Sequence, residues 1–412
     1  MPLSQAEQQL CKLIASRKKA LLEDLALHVG IPTGGFNTPA LDESRERFTH
    51  RLTRLGADVS LVPGEPKPEW LYGAGSDYGV PPVAVCSRRQ PGRFGVLIAG
   101  HLDTVHDPNG PFRELSIAPD GQTATGPGCV DMKGGLVIAV AALEALEEAG
   151  LEASWTFLFN SDEETGSYHS QKTLRTQAAQ HDVGLAIEPA LPGGALAVER
   201  MGAGQFMIEC HGRSAHVGRA FTEGVSAVTA LAKVLVAIGQ MPDPEQGRIL
   251  NVGPIKGGSV TNAVPDHACA WGNVRFPTPE VGDEIARMLE ALATEPDALP
   301  SVLVRHSFNR PAKPMTREVE ALALQARAAA EDLGQTLPFA KTGGVCDGNI
   351  LQDAGLPTID TLGVRGGGLH TPNEWIELPS LVERCQLLAV LIHRLSIGGL
   401  EAAGEQPRKS AP

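Results

Sequence analysis

His101 and Asp103 stand two residues apart in "AGHLDTV", and Asp162, Glu163 and Glu164 stand in a row in "FNSDEETGS". Glu188 follows in "AIEP", and His370 in "GGGLHTPNE". Imidazoles and carboxylates are the donors that zinc and related divalent cations take. Neighbouring acids repel one another and resist joint ionisation. Three in a row after an apolar stretch are therefore either solvated or balanced by positive charge from outside the chain. Asp131 closes the Gly/Pro-rich turn "ATGPGCVD" and could reach the same rim. Each residue also has an ordinary reading. His-x-Asp can be a surface pair, "DEE" a solvated helix start and Asp131 a helix N-cap. Glu188 and His370 can be plain loop residues.

Placement favours the chemistry. Gly95–Ala99 is an apolar run rich in β-formers and reads as a buried strand that ends at His101. "ASWTFLFN" is another, delivering Asp162 to Glu164, and "VGLAIEP" a third, delivering Glu188. Between the first two lies "DMKGGLVIAVAALEALEEAG", a helix stopped by Gly150. Residues 1–30 and 41–56 read as amphipathic helices, the second ending at Gly56. Strands alternating with helices predict an α/β fold with a mostly parallel central sheet. Such sheets bind ligands outside the carboxyl ends of their strands.

From about residue 195 the pattern changes. "GQFMIECHGRSAH", "RILNVGPIKGGSV", "HACAWGNVRF" and "SVLVRHSF" read as four strands. "GVSAVTALAKVLVAIGQM" and "EVGDEIARMLEALATE" read as two helices. After Pro311 the first pattern resumes with a helix near 317–334, the strand "LPTIDTLG", the loop to His370 and a helix near 378–396. The expected organisation is one domain built from 1–194 and 309–412, with a four-stranded, two-helix α+β unit inserted at 195–308. The tail after Gly398 is expected to fray.

Composition narrows the function. At 412 residues, two domains are expected. With 35 basic and 48 acidic residues the net charge is −13 and no basic cluster occurs, which disfavours nucleic acid and anionic membranes. The seven cysteines are scattered without CxxC spacing, which argues against a disulfide framework or a structural zinc knuckle. The polar, helix-periodic N-terminus and the lack of a long apolar run point to a soluble, cytoplasmic protein.

With these motifs in order, "GHLDTV", "GPGCVDMKGG", "NSDEETGS", "AIEP", "GRSAHVG", "NAVPD" and "GGGLHTPNE", the chain resembles the dinuclear-zinc exopeptidase and deacylase superfamily. That group includes glutamate carboxypeptidases, acetylornithine deacetylase, succinyl-diaminopimelate desuccinylase and aminoacylase. The resemblance implies two Zn²⁺ per subunit, with Co²⁺ or Mn²⁺ as alternatives. His101 and Glu188 would bind one metal, Glu164 and His370 the other, and Asp131 would bridge them. Asp103 would orient the His101 ring, and Glu163 would be the general base on the water between the metals. A cis peptide would follow Asp131. The inserted unit would be a lid and dimerisation domain, with His216 of "SAHVG" completing the partner's site in a homodimer.

Asn262 and Arg275 match lid positions that grip a substrate carboxylate. Relatives often carry Asp two residues before this Arg, where the chain has Asn273, which puts the orientation of Arg275 in question. The segment "CDGNILQDAGLPTIDTLGVRGGGLHT" is most similar to the glutamate carboxypeptidase branch. The expected activity is metal-dependent hydrolysis of an amide beside a free carboxylate, on a small peptide or an N-acyl amino acid. An N-acyl amino acid deacylase is the alternative. An inactive binding relative is disfavoured because Glu163 and all five ligand positions are present.

Overall fold

The computed structural model describes residues 2–35, 37–73, 79–295 and 297–400. The strand Val96–His101 sits inside a six-stranded sheet ordered Asp58–Val62, Val83–Arg88, Trp155–Asn160, Val96–His101, Val183–Ala186, Thr358–Ile359. The last four strands are mutually parallel. The first two pair antiparallel and form an edge that the sequence pattern does not predict. Asp58–Val62 is largely exposed, and Val83–Arg88 follows Pro81 and Pro82. Asp58–Val62 therefore lacks the apolar run of a buried strand, whereas Val83–Cys86 has one, only four residues long and directly after two prolines.

Successive side chains of a strand face opposite ways, and both faces of this sheet are covered, as parallel strands require. Val96, Ile98, Phe157 and Phe159 join the larger core with helices Gln5–Ser16, Lys133–Glu148 and Pro379–Gly398. Leu97, Ala99 and Leu158 face Leu174 and Ile350, on helices Gln171–Ala178 and Asp347–Asp353. Lys133–Glu148 is apolar nearly all round because it lies deep in the core. The single helix expected over 1–30 is two, Gln5–Ser16 and Lys18–Val29, broken at Arg17. Gly56 and Gly150 end their helices as expected, with φ of +79° and +66°.

The chain from Gly202 to Arg310 builds a second, antiparallel sheet ordered Ile249–Gly257, His267–Phe276, Gly202–His211, Ser301–Arg310. Helices Ala227–Ile238 and Pro279–Glu290 cover one face, around Phe206, Ile208, Ala270, Leu231 and Ile285. The two crossings between this unit and the rest are tied together. Arg200 and Lys313 exchange backbone bonds of 2.9 and 3.0 Å, and both side chains reach Asp360, at 2.8 and 3.3 Å. Burial pushes the Asp360 carboxyl up, but Arg200 and Lys313 outweigh it and hold it below its ordinary range.

A small sheet pairs Thr123–Thr125 with Trp375–Glu377, joining the turn before Asp131 to the loop that carries His370. All seven cysteines are free. Among the described residues, no helix is long and apolar enough to cross a membrane. Residues 401–412, most of the tail expected to fray, lie outside the described residues.

Candidate metal centre and substrate cleft

His101 is the last residue of its strand, and Asp162 to Glu164 follow the neighbouring parallel strand Trp155–Asn160. Parallel neighbours end on the same side, so both groups reach one rim. Glu188 follows the next strand, Val183–Ala186. Asp131 comes from the turn before helix Lys133–Glu148, and the Asp131–Met132 peptide is cis. His370 enters from its loop at φ +62°, a conformation uncommon outside glycine.

The groups converge. His101 Nε2 lies 3.3 Å from Asp131 Oδ1, and His370 Nε2 lies 3.4 Å from Asp131 Oδ2 and 3.3 Å from Glu164 Oε2. Asp131 Oδ1 and Glu164 Oε1 are buried yet make no hydrogen bond. Donors that crowd together without bonding one another fit shared cations. His101 Nδ1 meets the Asp103 backbone carbonyl at 2.9 Å and its carboxylate at 3.5 Å. That carboxylate accepts the amides of Glu163 and Glu164, at 3.3 and 3.0 Å. Asp103 thus fixes the "DEE" backbone as well as the ring.

Charge follows the geometry. Burial alone would depress the His101 imidazole, but Asp103 and Asp131 raise it well above its ordinary range. Burial would raise Asp131, but His101 and His370 hold it well below the usual carboxylate range. The neighbouring carboxylates of Asp131 and Glu164 lift His370 to about 10. Burial pushes Glu163 up to about 8, against the pull of Arg310, and drives Glu188 well up. The cluster has more buried acid than nearby base, which suits added dications.

The cluster opens on a cleft of about 920 Å³. Asp131, Glu163, Glu164, Glu188 and His370 line it from one side. Arg275, Asn273 and Arg310 line it from the second sheet. Arg275 Nη1 donates to the Asn273 side-chain oxygen, so the amide supplies the support that an Asp would give. Asn262 and His216 do not line this cleft. They lie together on a two-stranded ribbon where His216 pairs with Ala263 and the Val217 amide donates to the Asn262 carbonyl.

Sequence reasoning passed over two residues. Arg310 is buried, with Nη1 2.7 Å from Glu163 Oε1 and Nη2 donating to the Glu163 carbonyl at 2.6 Å. The expected strand "SVLVRHSF" stops short of it. Glu374 is buried and accepts the amides of Gly128, Val130 and Asp131 at 2.9–3.0 Å, clamping the turn that presents Asp131. Its one signal was its place at the end of "GGGLHTPNE".

An α/β fold whose strand ends gather imidazoles and carboxylates has the donor set of a metallohydrolase. Residues 97–394 match the sequence model of Peptidase family M20/M25/M40, and the chain belongs to this family. It is 30% identical over 317 residues to carboxypeptidase G2 of Pseudomonas sp. strain RS-16, covering 74% of this chain and 76% of that one. It is 27% identical to succinyl-diaminopimelate desuccinylase 2 of Shewanella loihica, over 87% and 96% of the two chains. Among solved structures, aminopeptidase PepT of Bacillus cereus superposes with a TM-score of 0.69 at 24% identity, over 92% of this chain and 98% of that one. The fold is thus that of M20 peptidases, and both a carboxypeptidase and a desuccinylase are sequence relatives.

Proposed function

We propose that the chain is a glutamate carboxypeptidase-like metallopeptidase that hydrolyses an amide bond beside a free carboxylate. The observation that carries this reading is Arg275, whose guanidinium lines the same cleft as the acid and imidazole cluster. A guanidinium offers a carboxylate two parallel hydrogen bonds, and Asn273 steadies it. The relation to carboxypeptidase G2 supports the choice. An N-acyl amino acid deacylase is the second reading, supported by the relation to desuccinylases.

In this proposal His101, Asp131 and Glu188 hold one cation, and Asp131, Glu164 and His370 the other, with Zn²⁺ first and Co²⁺ or Mn²⁺ as alternatives. When bound, such cations acidify water and polarise an amide carbonyl. Glu163 accepts the proton of the attacking water and gives one to the leaving amine as the C–N bond breaks. Arg310 holds Glu163 Oε1, which leaves the other oxygen for that transfer. His216, exposed on its ribbon beside Asn262, serves the cleft of a second copy as an oxyanion donor. Exposed Val228 and Val236 on helix Ala227–Ile238, with Ile249 and Ile255 on the edge strand, supply apolar surface for a homodimer.

Metal removal tests the core of the proposal. A chelator should abolish hydrolysis of N-acyl amino acids and dipeptides, and Zn²⁺ or Co²⁺ should restore it. Full turnover by metal-free protein, verified by elemental analysis, contradicts the mechanism. The preferred substrate in the same screen separates the carboxypeptidase from the deacylase.

A further inference from the structure

The second sheet has one face under helices and one face without them. Even-numbered residues of Gly202–His211 and His267–Phe276, such as Phe206, Ile208, Ala268 and Ala270, face the helices. Odd-numbered residues face the other way, because side chains alternate along a strand. One end of this helix-free face carries Asn273 and Arg275, which line the catalytic cleft, and its middle is covered at Trp271 by Trp70 and Tyr72. The opposite end carries Glu209, His211 and His267. His211 and His267 are directly opposed across the two strands, and Glu209 is two residues from His211 on the same face. Cross-strand partners and i, i+2 neighbours lie close enough for their side chains to meet.

These side chains do meet. His267 Nε2 lies 3.0 Å and His211 Nε2 3.6 Å from the same oxygen, Glu209 Oε1. All three ligand atoms lie within 4.8 Å of one another. Donors on a tetrahedral cation with bonds of about 2.0–2.2 Å stand roughly 3.3–3.6 Å apart. Small side-chain rotations would bring this trio to that spacing. Both imidazoles are half-exposed, so a cation can reach them. The Arg305 guanidinium, 3.9 Å away, faces the other oxygen, Oε2, and leaves Oε1 to the histidines. From His267 to Arg275 the strand covers eight residue steps, about 26 Å at the usual rise, so the trio is remote from the catalytic cluster.

We propose that His211, His267 and Glu209 form a surface site for a zinc-class divalent cation, distinct from the catalytic centre. Two imidazoles and one carboxylate suit Zn²⁺, Ni²⁺ or Cu²⁺ and disfavour Mg²⁺ and Ca²⁺, which take oxygen ligands. Three protein donors leave at least one position open to solvent.

The test uses enzyme already loaded to constant activity with its catalytic metal. Zn²⁺ alone is then titrated in and followed by calorimetry, with elemental analysis after gel filtration. The unaltered chain should take up one further equivalent, and His211→Gln/His267→Gln should take up none. Glu209→Gln should weaken the extra site by at least the ~10–100-fold that loss of a supporting partner costs a metal site. These residues lie outside the catalytic cleft, so turnover and metal-free melting temperature should match the parent. Equal uptake by the parent and the double variant overturns the proposal, as does a parent that takes up no further equivalent. Because uptake is read without turnover, the result is independent of the substrate reading above.

Discussion

At the residue scale, Glu163 and Glu164 are adjacent in sequence yet face different surroundings. Glu164 Oε2 meets His370 within the cation-ready cluster, whereas Glu163 Oε1 is held by Arg310. Glu163→Gln should lower turnover ~10²-fold or more and leave metal content unchanged, because it removes a base and no ligand. Glu164→Gln should lower metal occupancy first. Kinetics and elemental analysis on both variants check the assignment, and the reverse pattern would exchange the two roles. Asp162 to Glu164 and Glu188 were legible in the sequence because they follow strands whose apolar pattern is local. Arg310 and Glu374 were not. Their partners lie 147 and 243–246 residues away, and a distant pairing leaves no periodic trace.

At the element scale, the "KGG" of the helix start has a steric cause. A Cβ on Gly135 would sit 2.3 Å from the Ile187 carbonyl oxygen, so the helix passes against the backbone just before Glu188. Alanine inside a helix normally stabilises it relative to glycine by about 1 kcal/mol. Here Gly135→Ala should instead destabilise the chain by about 1–3 kcal/mol through overpacking and reduce turnover by shifting Glu188. Gly398→Ala, at a helix end with open space around it, should be neutral or stabilising. Chemical denaturation of the two variants reads the contrast. A second element-scale prediction concerns His28, near the end of helix Lys18–Val29, stacked on Phe48 at 4.0 Å between ring centres. Burial first, then Arg51 and Lys133, lower its pKa from 6.5 to about 3. The unfolded chain therefore binds a proton between those values that the folded chain refuses. This contribution is complete above pH 6.5 and is lost as pH falls toward 3, at about 1.4 kcal/mol per pH unit. His28→Phe should flatten that part of the stability profile between pH 4 and 6, measured by denaturation at several pH values. An unchanged slope would show that other groups set it.

At the scale of the whole molecule, the proposed function would have two copies of the chain share a site. His216 and Asn262 share a ribbon that does not line their own cleft. His216→Ala should cost ~10²–10³ in turnover with metal retained, as loss of one oxyanion donor does. Mixed with Glu163→Gln and allowed to exchange subunits, it should regain roughly a quarter of native activity. Half the random pairs are hybrids, and each hybrid has one whole site of two. If exchange is verified by mass and activity stays at the single-variant level, His216 does not act across the dimer.

The sequence by itself determined the α/β alternation, the strands that end in acids and histidines, the compositional change near residue 195 and the motifs that carry the family. These are local patterns, set by the period of a strand or helix and by the residues that stop it. Tertiary structure decided the rest. It added the antiparallel edge, whose outermost strand Asp58–Val62 lacks a buried strand's pattern, and the break at Arg17. It set Arg310 against Glu163, Glu374 under the Asp131 turn and Arg200 and Lys313 on Asp360. It also separated Asn262 from Arg275, which the sequence had grouped, and brought Glu209, His211 and His267 together on the helix-free face. Each of these depends on which distant segments lie side by side, and that is fixed only when the sheets and their covering helices close on one another.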